Sequence, residues 1–173
     1  LKPEKLIPLA QRFKLARLSY NGETIVQARP PTVAMGRANV EIPPASFLQA
    51  TVAAEDMLSR LVLDGIGQAK SVADLFCGVG PFALRMAEQA KVSAFDSDKP
   101  GIMALQRAVR FTQGLKPVTA AARDLFRDPL APVELDGFDA VVFDPPRAGA
   151  GAQARELAQS KVKSYLDIGT WRS

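Results

Sequence analysis

The sequence has no histidine. That removes an imidazole base, a Ser–His nucleophile pair and every His-bearing metal site from the chemistry open to it. It has one cysteine, Cys77, too few for an intrachain disulfide framework or a Cys-rich metal centre. No apolar run approaches the roughly 20 residues a membrane-spanning helix needs. The first residues lack the pattern of a secretory leader, and internal repeats and low-complexity tracts are missing too. These exclusions predict a globular protein of a reducing compartment, with the cytoplasm as the default.

What is present fits one ordinary core. Apolar residues make up 47% and charged residues 23% of 173 positions, the proportions of a folded domain. The net charge of +4 permits an anionic partner without requiring one. Basic residues gather at Lys2, Lys5, Arg12, Lys14 and Arg17, and again at Arg29, Arg37, Lys161, Lys163 and Arg172. A solvated surface and a nucleic-acid face both account for them.

Residues 1–44 read as a small β-rich appendage. After a basic, irregular or short helical lead-in, Asn21-Gly22 separates the runs 16–20 and 23–27. Asn-Gly at that place is a strong hairpin signal, because both turn positions need positive φ. Pro30-Pro31 ends this unit, residues 32–42 read as a second extended stretch broken at Gly36, and Pro43-Pro44 closes it.

Residues 45–173 alternate between helical and extended patterns. A helix is expected over about 50–63, with Val52, Met57, Leu58, Leu61 and Val62 as its apolar face and Asp64-Gly65 and Gly67 as its stop. Strands are expected at 71–76, 91–95, 117–121, 138–143 and 162–168, and helices at 81–89, 99–113 and 151–159. Met35, Met57, Met86 and Met103 read as packing residues. This alternation predicts an α/β fold with a doubly wound, mostly parallel sheet of about five strands, whose ligand lies beyond the strand carboxyl ends.

Four groups of residues fall at those carboxyl ends. Asp74-Leu75-Phe76-Cys77-Gly78-Val79-Gly80-Pro81-Phe82 follows the first strand of the alternating region, a glycine turn leading into a helix start. Asp96 lies 22 positions after Asp74, the offset at which Rossmann-type sheets hold a ribose diol. Asp124, in Arg123-Asp124-Leu125-Phe126, is placed to accept from an exocyclic adenine amine. Asp144 opens Asp144-Pro145-Pro146-Arg147-Ala148-Gly149. The third glycine of a pyrophosphate loop is lacking and the lining is acidic, so a nucleoside ligand without phosphates fits better than NAD.

These motifs resemble the class I S-adenosylmethionine-dependent methyltransferases and, more narrowly, the RNA uracil-5-methyltransferase branch. Phe47-Leu48-Gln49 and the lead-in hairpin fit that branch as well. The resemblance covers about residues 17–163. It implies S-adenosylmethionine as cofactor and an rRNA or tRNA loop as partner. Gln49, Asp74, Phe76, Gly78 and Gly80 would line the methionine side, Asp96 the ribose and Asp124 the adenine amine. Asp144 would sit between cofactor and target base, with Arg147 positioning the substrate.

Uracil C5 is a poor nucleophile until a thiolate adds at C6, so the branch needs a cysteine and a base. The family carries that cysteine in a Ser-Cys-Asn-Pro-type turn after the fifth strand, where this sequence has Gly169-Thr170-Trp171-Arg172-Ser173. Cys77 lies in the cofactor loop, where the family's cysteine is not the nucleophile. The expectation is therefore a truncated or frame-altered piece with the cofactor half of the site, no C5 transfer of its own, and an edge strand prone to self-association. Two other readings stay open: a same-fold methyltransferase acting on another RNA atom or a small molecule, and a non-catalytic nucleotide- or RNA-binding module.

Overall fold

The structure, a computed structural model, describes residues 6–48, 51–146 and 150–168. A short helix α1 (Ile7–Arg12) leads into the antiparallel hairpin β1 (Arg17–Tyr20) and β2 (Glu23–Gln27). Its turn is the expected one, with Asn21 at φ +49° and Gly22 at φ +82°. The Arg17 guanidinium donates to the carbonyls of Ile42 and Pro43 at 2.8 and 3.1 Å, which fastens this hairpin to the end of the next.

The second stretch is also a hairpin, β3 (Thr32–Met35) and β4 (Ala38–Glu41), turning at Gly36. It shares the core of the main sheet, since Met35, Ala38, Val40 and Ile42 are buried in the same cluster as the sheet residues. Gly36 permits the approach: a Cβ there would lie 2.6 Å from Glu88 Oε1.

Helix α2 (Val52–Ile66) is capped by Thr51, whose hydroxyl accepts from the Ala54 amide at 3.1 Å. The helix departs from expectation in two ways. It runs through Asp64-Gly65 and stops at Gly67, whose φ of +51° ends it. Gly65 is a packing glycine, because a Cβ there would overlap the Leu166 side chain. The buried face is Glu55, Ser59, Val62 and Ile66, while Val52, Met57 and Leu61 are exposed. The expected face shares Val62 with the buried one, but its centre is shifted because Glu55 is buried as an ion pair with Arg85, 3.0 Å away.

The remaining elements are β5 (Ser71–Leu75), α3 (Pro81–Met86), β6 (Lys91–Asp96), α4 (Lys99–Phe111), β7 (Val118–Ala122), α5 (Pro132–Leu135), β8 (Ala140–Phe143), α6 (Gly151–Gln159) and β9 (Ser164–Asp167). The five strands form one parallel sheet in the order β7-β6-β5-β8-β9. Alternate side chains serve two cores. Val72, Val92, Ala94, Ala140 and Val142 face α2, α3, α4 and the second hairpin; Ala73, Leu75, Val141 and Phe143 face α5 and α6. Each fully buried Leu or Val contributes roughly 1.5–3 kcal/mol. Met35 and Met86 pack in the core as expected, but Met57 and Met103 are solvent-exposed, on the outer faces of α2 and α4. Among the described residues, no helix is long and apolar enough to cross a membrane.

Chain direction in the sheet reverses its lateral progress between β5 and β8. β6 and β7 therefore lie on one side of β5 and β8 and β9 on the other, the switch point at which sheets of this kind take a ligand beyond the strand carboxyl ends.

Candidate functional site

The crevice begins where β5 ends. Phe76 sits at φ +64°, a left-handed conformation that a bulky side chain seldom adopts. Two contacts hold it there. The amides of Phe76 and Cys77 both donate to the Phe95 carbonyl, at 2.9 and 3.1 Å. The Phe76 ring packs edge-on against Phe143 and Phe126, with centroids 5.8 and 5.4 Å away. Gly78 and Gly80 follow at φ +54° and +87°, and α3 starts at Pro81.

The two glycines do different work. A Cβ on Gly80 would lie 2.5 Å from Leu105 Cδ1, so that glycine lets the turn lie against α4. A Cβ on Gly78 would meet nothing within 4 Å. Gly78 borders open space, where a ligand can approach the backbone.

Asp96 is fixed to this turn. Its Oδ2 accepts from the Gly78 amide and its Oδ1 from the Asp98 amide, both at 2.8 Å. Each oxygen keeps a lone pair for an outside donor. Asp124 lies at the next carboxyl end, where its Oδ1 accepts from the amides of Phe126 and Arg127 at 3.1 and 3.3 Å and so shapes its own turn. Arg123 beside it is structural: its guanidinium donates to both Glu134 oxygens and to the carbonyls of Asp128 and Pro129. That network pulls the Glu134 carboxyl below its usual range.

Asp144 follows β8, its amide donating to the Leu75 carbonyl at 3.2 Å. Burial raises its carboxyl, and the Asp167 charge raises it further. Asp167 stands opposite Phe143 in the register of β8 and β9. Asp74 lies one residue from the end of β5, fully buried, with neither carboxyl oxygen hydrogen-bonded. Its pKa is pushed up to about 8, first by burial and then by Asp144. The Ala83 amide offsets part of that rise without reaching ordinary hydrogen-bond geometry, and Asp96 adds to it. Cys77 is buried and its thiol is pushed well up by burial, then by Asp74 and Asp96. It is a neutral thiol, unsuited to act as a nucleophile.

The structure thus gathers Asp74, Phe76, Gly78, Gly80, Asp96 and Asp144 around one crevice, with Asp124 on the neighbouring turn. Gln49 and Arg147 lie outside the described residues. Three participants went unnoticed in the sequence. Asp167 obeys the same rule as the others, an acid at a strand's carboxyl end. Phe126 shows only through its contact with Phe76, and Asp98 only through its amide on Asp96.

Residues 46–166 match the methyltransferase small domain family. The chain belongs to that family. The match spans the parallel sheet to within one residue of its end and includes Asp74, Asp96, Asp124 and Asp144. Similar proteins include one named an uncharacterized RNA methyltransferase in Brucella suis, 53% identical over 163 residues, covering 94% of this chain and 39% of that protein. The 23S rRNA (uracil(1939)-C(5))-methyltransferase RlmD of Stenotrophomonas maltophilia is 29% identical over 128 residues, 72% of this chain and 29% of that protein. The methyltransferase small domain chain spans about two-fifths of the length of the Brucella relative. Among solved structures, the Pyrococcus abyssi tRNA (uracil-54, C5)-methyltransferase in complex with S-adenosyl-L-homocysteine superposes with a TM-score of 0.68 at 24% identity, covering 83% of this chain and 35% of that one. That likeness shows the shared fold.

Proposed function

We propose that the chain is the cofactor-binding part of an S-adenosylmethionine-dependent RNA methyltransferase directed at C5 of a uridine in rRNA or tRNA. The observation that carries this reading is the run of acids at the carboxyl ends of neighbouring strands, Asp124, Asp96, Asp74 and Asp144 at the ends of β7, β6, β5 and β8, around an open glycine turn. The names of the relatives, RNA methyltransferases in general and a uracil-C5 enzyme at greater distance, support it.

The residues present fit this cofactor. Carboxylates repel a phosphate chain but suit a cationic, phosphate-free nucleoside. Bound S-adenosylmethionine supplies a methyl group on a sulfonium. Asp96, already oriented by two amides, accepts from the ribose hydroxyls. Gly78, bordering open space, would admit the methionine end, with Phe76 and Asp74 among the residues that would hold it. Asp124 offers its second oxygen to the adenine amine, with Phe126 beside it. Asp144 lies on the acceptor side, with Arg147 following it in sequence, and Gln49 completes the methionine side. The base is methylated out of its stack, so a loop or single-stranded segment is the substrate.

With Cys77 buried and neutral, this chain supplies no thiolate for C6, and C5 transfer needs a nucleophile from elsewhere. We also propose that β9, which among the described residues pairs only with β8, lets two copies associate edge to edge.

Cofactor titration tests the central reading. Saturable binding of S-adenosylmethionine is expected, weakened roughly 10- to 100-fold in Asp96→Asn, as loss of charged hydrogen bonds implies. Failure of the wild-type chain to bind at any concentration would sink it. Incubation with RNA and cofactor is expected to give no 5-methyluridine from the chain alone.

A further inference from the structure

One buried side chain lacks the partners its chemistry calls for. Asp74 is fully buried in the central strand, and among the described residues its two oxygens are the only buried side-chain polar atoms without a hydrogen-bond partner. Buried polar groups in folded proteins are nearly always paired, and an orphan calls for an explanation. An apolar side chain in the same place would carry no such penalty.

The groups that face Asp74 come from each neighbouring element. β8 brings Asp144 and β6 brings Asp96, both negative. α3 brings the Ala83 amide, which favours the ionised form only in part. The turn after β5 brings Cys77, a neutral thiol. Among the described residues, no lysine or arginine is among the charges acting on it. Burial and like charges together hold the carboxyl near 8, so at neutral pH it keeps its proton.

The Asp74 carboxyl therefore lies in a place that disfavours an anion until a cation arrives. Resting on the cofactor reading above, we propose that cofactor uptake expels a proton from Asp74. The acid is neutral before binding and becomes the buried counter-charge to the cationic cofactor, its proton leaving to bulk water. S-Adenosylmethionine carries a sulfonium and an ammonium against one carboxylate. A net positive charge held between Asp96 and Asp144 would cancel the like-charge repulsion and stand against the larger effect of burial, and both act toward the ionised acid. Binding and deprotonation are then linked, and affinity rises with pH by up to roughly tenfold per unit below pH 8.

The test is calorimetric titration of S-adenosylmethionine into the full chain, in buffers of different ionisation enthalpy, from pH 6 to pH 9. Below pH 7 the cofactor's own amine is mostly charged, and its neutral fraction would take up a proton on binding as the ammonium, so protons released there come from the protein. The expected result is net proton release that fades above pH 8, with affinity rising over the same range. Asp74→Asn mimics the neutral acid and should bind with an affinity independent of pH and with no release. Asp144→Asn removes the larger of the two neighbouring charges and should move the release window to lower pH, which keeps the proposal open to test if Asp74→Asn fails to fold. Saturable binding by the wild-type chain with no buffer dependence and the same affinity at pH 6.5 and 8 overturns the proton exchange and leaves the cofactor reading standing. No binding at any pH overturns both.

Discussion

Because the chain has no histidine, the pH range from 5 to 8 is left to its unusual carboxyl groups. The Asp74 carboxyl is held at about 8 when folded, against an ordinary value of 3.8. Between those two values the folded chain binds a proton that the unfolded chain has released. The stabilising effect is complete below pH 4, declines as pH rises and is gone above 8, at roughly 1.4 kcal/mol per unit as an upper bound. Asp144, also raised, acts in the same direction. Thermal melting should therefore show stability falling from pH 5 to pH 8. Asp74→Asn should raise the melting temperature more at pH 8 than at pH 5; an equal effect at both would place the cost in the unpaired oxygens rather than in ionisation. The two glycines of the turn allow a second comparison at this scale. Gly80→Ala combines a positive φ with a 2.5 Å approach to Leu105 and should cost about 2–4 kcal/mol in urea denaturation. Gly78→Ala meets no atom and should cost only about 1 kcal/mol, while weakening cofactor binding by filling the space beside the backbone.

At the scale of elements, α2 and α3 are joined by Arg85. Its guanidinium pairs with the buried Glu55 at 3.0 Å and with Asp56 at 3.1 Å, and donates to the Pro81 carbonyl in the first turn of α3 at 3.0 Å. Arg85→Met leaves Glu55 as an uncompensated buried charge and should cost roughly 3–5 kcal/mol by chemical denaturation. Adding Glu55→Gln should recover much of that loss, whereas additive losses in the double variant would show that the pair is not coupled. This pair also marks the limit of what the sequence makes legible. The strands of the sheet can be read because β5, β6 and β8 are short runs of buried Val, Ala, Leu and Phe, and the first hairpin because Asn21-Gly22 permits one kind of turn. The face of α2 can only in part: Val62 is buried as the pattern expects, but the pattern counts Glu55 as polar, and only Arg85, 30 positions later, lets it be buried. The four-residue α5 is too short for any periodicity, and Gly65 looks like a stop because its reason, Leu166, lies in the last strand. The site divides in the same way. The order and spacing of Gly78, Gly80, Asp96, Asp124 and Asp144 are local properties of each turn and can be read off the chain. The Gly78 amide on Asp96, the left-handed Phe76 and the unpaired state of Asp74 arise only when β5, β6 and β8 lie side by side.

On the scale of the molecule, the distribution of charge and the outer edge of β9 bear on the proposed association of two copies. The acids collect at the carboxyl ends of the sheet, while Lys70, Lys91, Lys116 and Lys163 lie at or just before the amino ends of β5, β6, β7 and β9. Two copies meeting edge to edge in antiparallel sense would set one copy's acidic end beside the other's basic end, so charge does not oppose the pairing. Among the described residues β9 ends the sheet on one side, and its Tyr165 is 63% exposed. Helix α2, which packs over β9, leaves Met57 and Leu61 exposed as well. Edge strands of this kind are a ready template for pairing, and lysine on the edge is a common natural block. Sedimentation velocity over a range of concentrations should show a wild-type chain that self-associates and a Tyr165→Lys variant that stays monomeric. Raising the salt should weaken the association if the opposed acidic and basic ends contribute to it, and leave it unchanged if main-chain pairing and apolar contact alone hold the edge. A wild-type chain that sediments as a monomer at every concentration would mean that β9 is protected, and would send the search for its cover to the part of the relatives' length that this chain does not span.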